Sequence, residues 1–322
     1  MAKLKIITQN LGAYYCITEI DKINRKNKST MTDEDSVEDV KSKIIKYVSE
    51  KNFLEAVGKG ILEDTDFKKA KVLSDVKKVI LKYIYEYTIK VYKKTNKAKI
   101  YAFQELPLEN SLCFTAETIV TKSLRKDMNV SSRAEEIWDK AFPWLEFRGA
   151  YLDERDIRFA GEKIKIINVH LSPTYDSELR YTLLKRLSEV PEKKLTILLG
   201  DFNAAFDYQT EYKITENNEF LKKIEKFGFI ECTASDEYGC DKDKNKKKYY
   251  TYLYVSDKKT EKKKLDHIFM SESLFTLLQK SNPQTPYEIK YIEKVNRNFS
   301  SQPDKAFTDH SGILLTINLP DP

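Results

Sequence analysis

Six times along this 322-residue chain a short run of Ile, Val and Leu abuts a polar, mostly ionisable group. The runs cover residues 4–7, 100–103, 164–169, 195–199, 265–269 and 307–319. Their polar companions are Gln9 and Asn10, Gln104 and Glu105, His170, Asp201 and Asn203, Asp266, and Asp309 and His310. A strand with one wet face needs only alternation, so near-continuous apolar runs mark strands buried on both faces. Two sheets packed face to face and covered outside by helices require such strands. The expected fold is α/β, with the polar strand ends gathered on one rim.

Helical periodicity appears between the runs, at residues 37–59, 67–92, 177–188 and 217–226. In the second stretch Val72, Val76, Val79, Ile80, Tyr83, Ile84, Tyr87 and Val91 fall at helical spacing. Residues 17–96 are too long for a simple connection and too periodic for a loop. They are expected to form a helical insertion packed on a single domain spanning 1–322, and a partner protein could dock through it.

Composition narrows the class. With 41% hydrophobic residues the chain can bury a large core, which excludes disorder. Lys plus Arg exceed Asp plus Glu by 56 − 50 = +6, too little for a globally basic polyanion binder. No apolar run approaches the ~18 residues of a membrane span, and the opening residues MAKLKIITQN lack the long apolar core of a signal peptide. A soluble, cytoplasmic protein without stable membrane association is expected. Cys16, Cys113, Cys232 and Cys240 show no Cys-x-x-Cys spacing, so packing is their expected role.

One segment concentrates the charge. Residues 241–264 carry ten lysines and four acids, a local +6 that equals the excess of the whole chain. Their apolar and aromatic centre, 249–255, reads as a hairpin arm leading into Leu265 and Asp266. Lys246, Lys247, Lys248, Lys262, Lys263 and Lys264 either protect a solvated edge or attract phosphates beside a site. Arg148, Arg155 and Arg158 cluster among only nine arginines, and either clamp phosphates or form surface salt bridges.

All three histidines lie in the polar endings. The assembled rim would hold Glu105, Asp201, Asp266 and Asp309, the amides of Asn10 and Asn203, and the imidazoles of His170 and His310. This oxygen-rich set without thiolate suits a hard divalent cation, Mg²⁺ or Mn²⁺, better than zinc. Such a cation with carboxylates and histidines serves phosphoryl chemistry: charge is neutralised on a phosphate oxygen while a protein group takes a proton from water.

Gln9-Asn10-Leu11, Gln104-Glu105-Leu106, Asn168-Val169-His170-Leu171, Gly200-Asp201-Phe202-Asn203, Leu265-Asp266-His267-Ile268-Phe269 and Thr308-Asp309-His310-Ser311 resemble, in order, the motifs of the endonuclease/exonuclease/phosphatase superfamily. That resemblance implies a four-layer α/β/β/α sandwich of two packed mixed β-sheets flanked by helices. It implies Glu105 as principal metal ligand, helped by Asn10 and Asp309. Asp201 would orient and deprotonate the attacking water, and Asn203 would donate to the phosphate. His310, oriented by Asp266, and His170 would contact phosphate oxygens. His267 should point away from Asp266 and be structural.

His170 resembles the deoxyribonuclease I and sphingomyelinase side of the family, whose AP endonucleases carry tyrosine there. The family's serine-bearing strand has no clear counterpart near 120–135, where Ser131, Ser132 and Arg133 are candidates. The function expected is a divalent-metal-dependent phosphodiesterase hydrolysing nucleic acid. The alternatives are a sphingomyelinase-like phospholipase C, an inositol polyphosphate phosphatase, or an inactive scaffold that binds nucleic acid or protein.

Overall fold

In the computed structural model the described residues are 2–11, 37–38, 41–42, 45, 55–72, 75–76, 78–80, 82–83, 86, 98–104, 112–114, 131–137, 150–171, 178–190, 194–207, 215–237, 246–255, 260–292 and 310–320. Two mixed sheets dominate. The first has five strands in the order Tyr287–Ile292 (β12), Gly312–Leu319 (β13), Ala2–Asn10 (β1), Ile100–Gln104 (β2) and Leu112–Phe114 (β3). The second has six: Ser131–Ile137 (β4), Ala150–Phe159 (β5), Glu162–His170 (β6), Leu195–Asp201 (β7), Asp266–Ser271 (β11) and Phe229–Glu231 (β8). Each contains one parallel pair, β1 with β2 and β6 with β7. A separate hairpin joins Tyr252–Val255 (β9) to Thr260–Lys263 (β10).

The core lies between the two sheets. Leu4 and Ile6 of β1, Ile164 and Ile166 of β6, Ile197 and Leu199 of β7, Ile268 of β11 and Leu315 and Ile317 of β13 form one buried cluster. A second cluster covers the other face of the six-stranded sheet. There Ile167, Val169, Leu198 and Phe269 meet Leu183 and Leu187 of helix Glu178–Ser188 (α3) and Phe220, Leu221 and Ile224 of helix Thr215–Lys226 (α4). Ile7, Tyr101 and Phe103, on the outer face of the five-stranded sheet, are fully buried too. Both faces of the central strands are therefore dry, which is the physical origin of the unbroken apolar runs. Cys232 is a free thiol in the inter-sheet core.

Each of the six runs contributes a strand, but the expectation is incomplete. β5, with the sequence AYLDERDIRF, carries so many charges that it does not read as a strand. It pairs along its whole length with β6 through a tight turn at Ala160 and Gly161, both at positive φ. Ser131, Ser132 and Arg133 open a further strand, β4, which pairs with β5 from Ser131 to Ile137. Helix Glu272–Ser281 (α5) follows β11 without a loop, because Ser271 itself caps it by accepting from the Leu274 amide.

Within 17–96 the helical expectation needs two corrections. Where the first stretch was expected to end, at residue 59, helix Glu55–Glu63 (α1) runs on by four residues. The second is interrupted: Asp64 caps the five-residue helix Thr65–Lys69 (α2), and the chain turns out of helical geometry at Ala70. The described residues from 75 to 86 are helical, and Gly60 of α1 lies so close to the Tyr83 ring that a methyl group would collide with it. Among the described residues no helix is long and apolar enough to cross a membrane.

Candidate active site

The polar ends of the strands meet at one end of the inter-sheet core. The parallel register of β6 and β7 sets His170 beside Asp201, and the antiparallel register of β7 and β11 sets Asp201 beside Asp266. Inward side chains alternate along these strands, so Ile197, Leu199 and Asp201 share a face, as do Ile164, Ile166, Asn168 and His170. The apolar core thus passes directly into a layer of Asn10, Asn168, His170, Asp201, Asp266 and His310, all buried.

Asp201, Asp266 and His310 each bring one ligand-capable atom to within 4.8 Å of the others. Asp266 Oδ2 accepts from His310 Nδ1 at 2.7 Å, which fixes the imidazole tautomer. Asp201 Oδ2 accepts from Asn10 Nδ2 at 2.9 Å, and its Oδ1 accepts from the Asn203 amide at 2.8 Å. Burial, and then the neighbouring Asp266 charge, push the Asp201 carboxyl above its ordinary value, against the opposing pull of His310, His170 and Asn10. Asp266 Oδ1 is buried without a hydrogen-bond partner. An orphaned carboxylate oxygen beside a second carboxylate and an imidazole fits a hard divalent cation.

Local sequence explains the precision of this layer. Gly200 sits at φ +133°, and a Cβ there would lie 2.0 Å from the Val169 carbonyl oxygen, so β7 can approach β6 only with glycine. Asn203 takes φ 45°, which asparagine tolerates better than most residues, and its side chain donates to the Leu171 carbonyl at 2.8 Å. That bond uses one amide hydrogen and leaves the other for a ligand.

Three supporting residues escaped the sequence reading. Arg180, buried in the first turn of α3, donates to the carbonyls of Phe202 and Asn203 and to Asn217 Oδ1, locking the loop that carries Asn203. It shares the apolar face of α3 with Leu183 and Leu187, and an arginine on such a face is a visible signal. Thr251 Oγ1 accepts from the backbone amides of Leu265 and Asp266, and the Thr251 carbonyl accepts from Ser311. The hairpin base therefore pins the residues flanking both Asp266 and His310. The Tyr252 ring lies 5.1 Å from the His310 ring.

Outside this cluster the expectations divide. Glu105, Asp309 and Arg148 lie outside the described residues. His267 points away from Asp266, fully buried, with its ring nitrogens on Glu231 Oε1 and the Ala204 carbonyl. Lys264 is a correction. It was grouped with a surface arm, but it is 1% exposed and its ammonium lies 2.9 Å from Glu231 and 2.7 Å from Glu237. The strand entering β11 turns it inward, so it cannot meet a substrate. Lys247 and Lys263 have carboxylate partners in Asp236 and Glu261. Arg155 pairs with Asp153 on one face of β5, while Arg158 lies on the other.

No protein-family model and no curated protein matches the chain in sequence. Solved structures do match in shape. The AP endonuclease LMAP from Leishmania major superposes with a TM-score of 0.51 at 10% identity, covering 99% of this chain and 88% of that one. TDP2 of D. rerio, complexed with a single-strand DNA product, gives 0.46 at 13% identity, over 99% and 100%. An endonuclease/exonuclease/phosphatase family protein from Leptotrichia buccalis gives 0.43 at 15% identity, over 98% and 100%. At these identities the likeness concerns the fold. The two packed mixed sheets with their helices share the architecture of the Leishmania AP endonuclease.

Proposed function

We propose that this chain is a divalent-metal-dependent phosphodiesterase that hydrolyses nucleic acid. The observation that carries the reading is the convergence of Asp201, Asp266 and His310 within 4.8 Å, next to a buried carboxylate oxygen with no partner. Asn10, Glu105 and Asp309 would hold Mg²⁺ or Mn²⁺ or its waters together with this group; the last two adjoin Gln104 and His310 in sequence. When bound, the cation supplies neutralising charge at a phosphate oxygen.

The remaining chemistry belongs to the chain. Asp201 is kept basic by burial and by Asp266, so it can orient water and take its proton. With Nδ1–H committed to Asp266, His310 has Nε2 across the ring from the carboxylate; in its protonated, imidazolium form it would donate from Nε2 to a non-bridging oxygen where negative charge grows. His170 acts likewise from β6, and Asn203 has an amide hydrogen for the phosphate. Lys246 and Lys262, on the segment whose base touches the His310 backbone, favour a polyanionic strand over a small ester.

Purified protein should nick plasmid DNA or degrade RNA with Mg²⁺ or Mn²⁺ and stop on addition of EDTA. A substrate panel that adds sphingomyelin and inositol polyphosphate separates the alternatives. Cleavage that survives chelation, or preference for either small substrate, overturns the reading.

A further inference from the structure

The outer face of the six-stranded sheet carries a second polar concavity, well separated from the rim. It is a cavity of roughly 500 Å³ beneath the C-terminal half of α3, with Lys165 and Ile167 of β6 in its floor and Lys194 at the start of β7. Lys165 precedes His170 by five residues, about 16 Å along a strand, and faces the opposite side of the sheet.

The charge of the lining is unbalanced. Lys165, Lys185, Arg186 and Lys194 face Glu154 and Glu189, an excess of two positive charges. Glu154 is shared, bonded to Lys165 at 2.6 Å and to Arg186 at 2.8 Å, so these two cations are already held in place. Lys185 and Lys194 have no carboxylate within ion-pair distance among the described residues. Burial, and then the adjacent Lys165 charge, lower the Lys194 pKa below its ordinary value, and the charges of Asp156 and Glu154 offset this only in part. At the mouth stands Tyr181, 71% exposed, its flat ring open to water.

We infer that this cavity binds a phosphate monoester of nucleotide size, with Lys185, Lys194 and Arg186 taking the phosphate and Tyr181 stacking on the attached base. A monoester carries about −1.5 to −2 charge at neutral pH, which matches the local excess. The volume falls within the ~300–1,000 Å³ of small-molecule sites. Aromatic stacking tolerates any base, so the site reads phosphate and a planar ring rather than sequence. The same chemistry is offered by a free mononucleotide and by the terminal phosphate of a nucleic-acid strand.

Calorimetric titration in EDTA, which removes divalent cation from the catalytic rim, tests this with AMP, inorganic phosphate, adenosine, and a short oligonucleotide with and without a 5′-phosphate. The full-length protein is compared with Lys185→Ala/Lys194→Ala, whose second residue is partly buried, and with Lys223→Ala/Lys226→Ala on α4 as a charge-matched control. Circular dichroism checks that each is folded. AMP should bind the wild type and the control with one-to-one stoichiometry and the Lys185/Lys194 variant at least tenfold more weakly. Tyr181→Ala should weaken AMP more than phosphate. Tighter binding of the 5′-phosphorylated than the 5′-hydroxyl oligonucleotide assigns the site to strand ends; equal binding of the two, with AMP retained, assigns it to the free ester. Equal AMP affinity in the two lysine variants, adenosine binding as well as AMP, or no saturable AMP binding overturns the inference.

Discussion

Asp266 and His267 are consecutive residues of β11, yet they belong to regions built on opposite principles. Asp266 faces the inter-sheet rim, where its Oδ1 and the Oε1 of Gln104 are buried without partners, and where burial and then the Asp266 charge raise the pKa of Asp201. His267 faces the other side, where it meets Glu231 on the edge strand β8, and from there bonds of 2.7–2.9 Å run through Lys264 and Glu237 to Tyr291 of the five-stranded sheet. No polar side-chain atom of that second group lacks a partner. An orphaned buried acceptor costs about 1–3 kcal/mol, so the rim sacrifices stability that the neighbouring network does not. At the rim a ligand could complete what the protein leaves unsatisfied, whereas the equally buried network around Glu231 is complete without one.

The sharpest way to break this contrast is to mutate the rim. His310→Ala or Asp201→Asn should lower turnover by about two to four orders of magnitude, since each removes a group that acts in the transition state. Substrate binding should largely survive, read as a fall in kcat with little change in affinity. In metal-free protein Asp201→Asn should leave the urea midpoint unchanged or raise it, because it removes a buried charge beside Asp266. Retention of more than about a tenth of the wild-type rate would show that these residues are structural.

The mirror experiment removes Lys264. Lys264→Met leaves Glu231 and Glu237 buried without their cation, and the loss should be about 3–5 kcal/mol of unfolding free energy, measured by urea titration. Adding Glu231→Gln and Glu237→Gln should recover most of it, because the stranded charges and not the missing ammonium cause the loss. If Lys264→Met instead abolishes turnover while leaving the midpoint in place, the two regions are one site.

The pH dependence separates them further. Burial raises the Glu231 carboxyl, but the Lys264 ammonium and the His267 bond outweigh it and hold it far below the usual carboxylate range. A depressed folded-state pKa contributes stability that is present above the unfolded value of 4.5 and lost as pH falls beneath it. Glu154, held down by Lys165 and Arg186 against its own burial, contributes in the same direction. Urea midpoints of wild type and Glu231→Gln should therefore converge as pH falls from 7 toward 3, the wild type losing more. Parallel curves would mean that Glu231 carries no charge in the folded protein.

How much of this was legible depended on whether a residue's neighbours in space are also its neighbours in sequence. The rim was visible because each strand end announces itself: an apolar run stops at Asp201 or His170, and β register does the rest. β5 was hidden because Asp153, Glu154 and Arg155 are neutralised by Arg155, Lys165, Arg186 and one another, partners that no periodicity reveals. Lys264 was misread for the same reason. In a run of three lysines only its position one step before Leu265 and two before Asp266 turns it inward, and its carboxylates come from β8 and the loop after it. Thr251 lay within the lysine-rich segment, where the charges concealed a hydroxyl that pins the backbone of the site.

That misreading sharpens the smallest prediction. If the segment attracts phosphates, its strength lies in the cations not already held by carboxylates. Lys246→Ala/Lys262→Ala should flatten the plot of log affinity against log salt by roughly 1.4–1.8, from ~0.7 per contact on single strands to ~0.9 on B-DNA. Lys247→Ala/Lys263→Ala should do less, because Asp236 and Glu261 already offset those charges. Binding titrations of an oligonucleotide across 50–300 mM salt would measure both slopes. Equal slopes in wild type and both variants would make the lysines a solvated edge, leaving the rim to hold its substrate through the cation and the imidazoles alone.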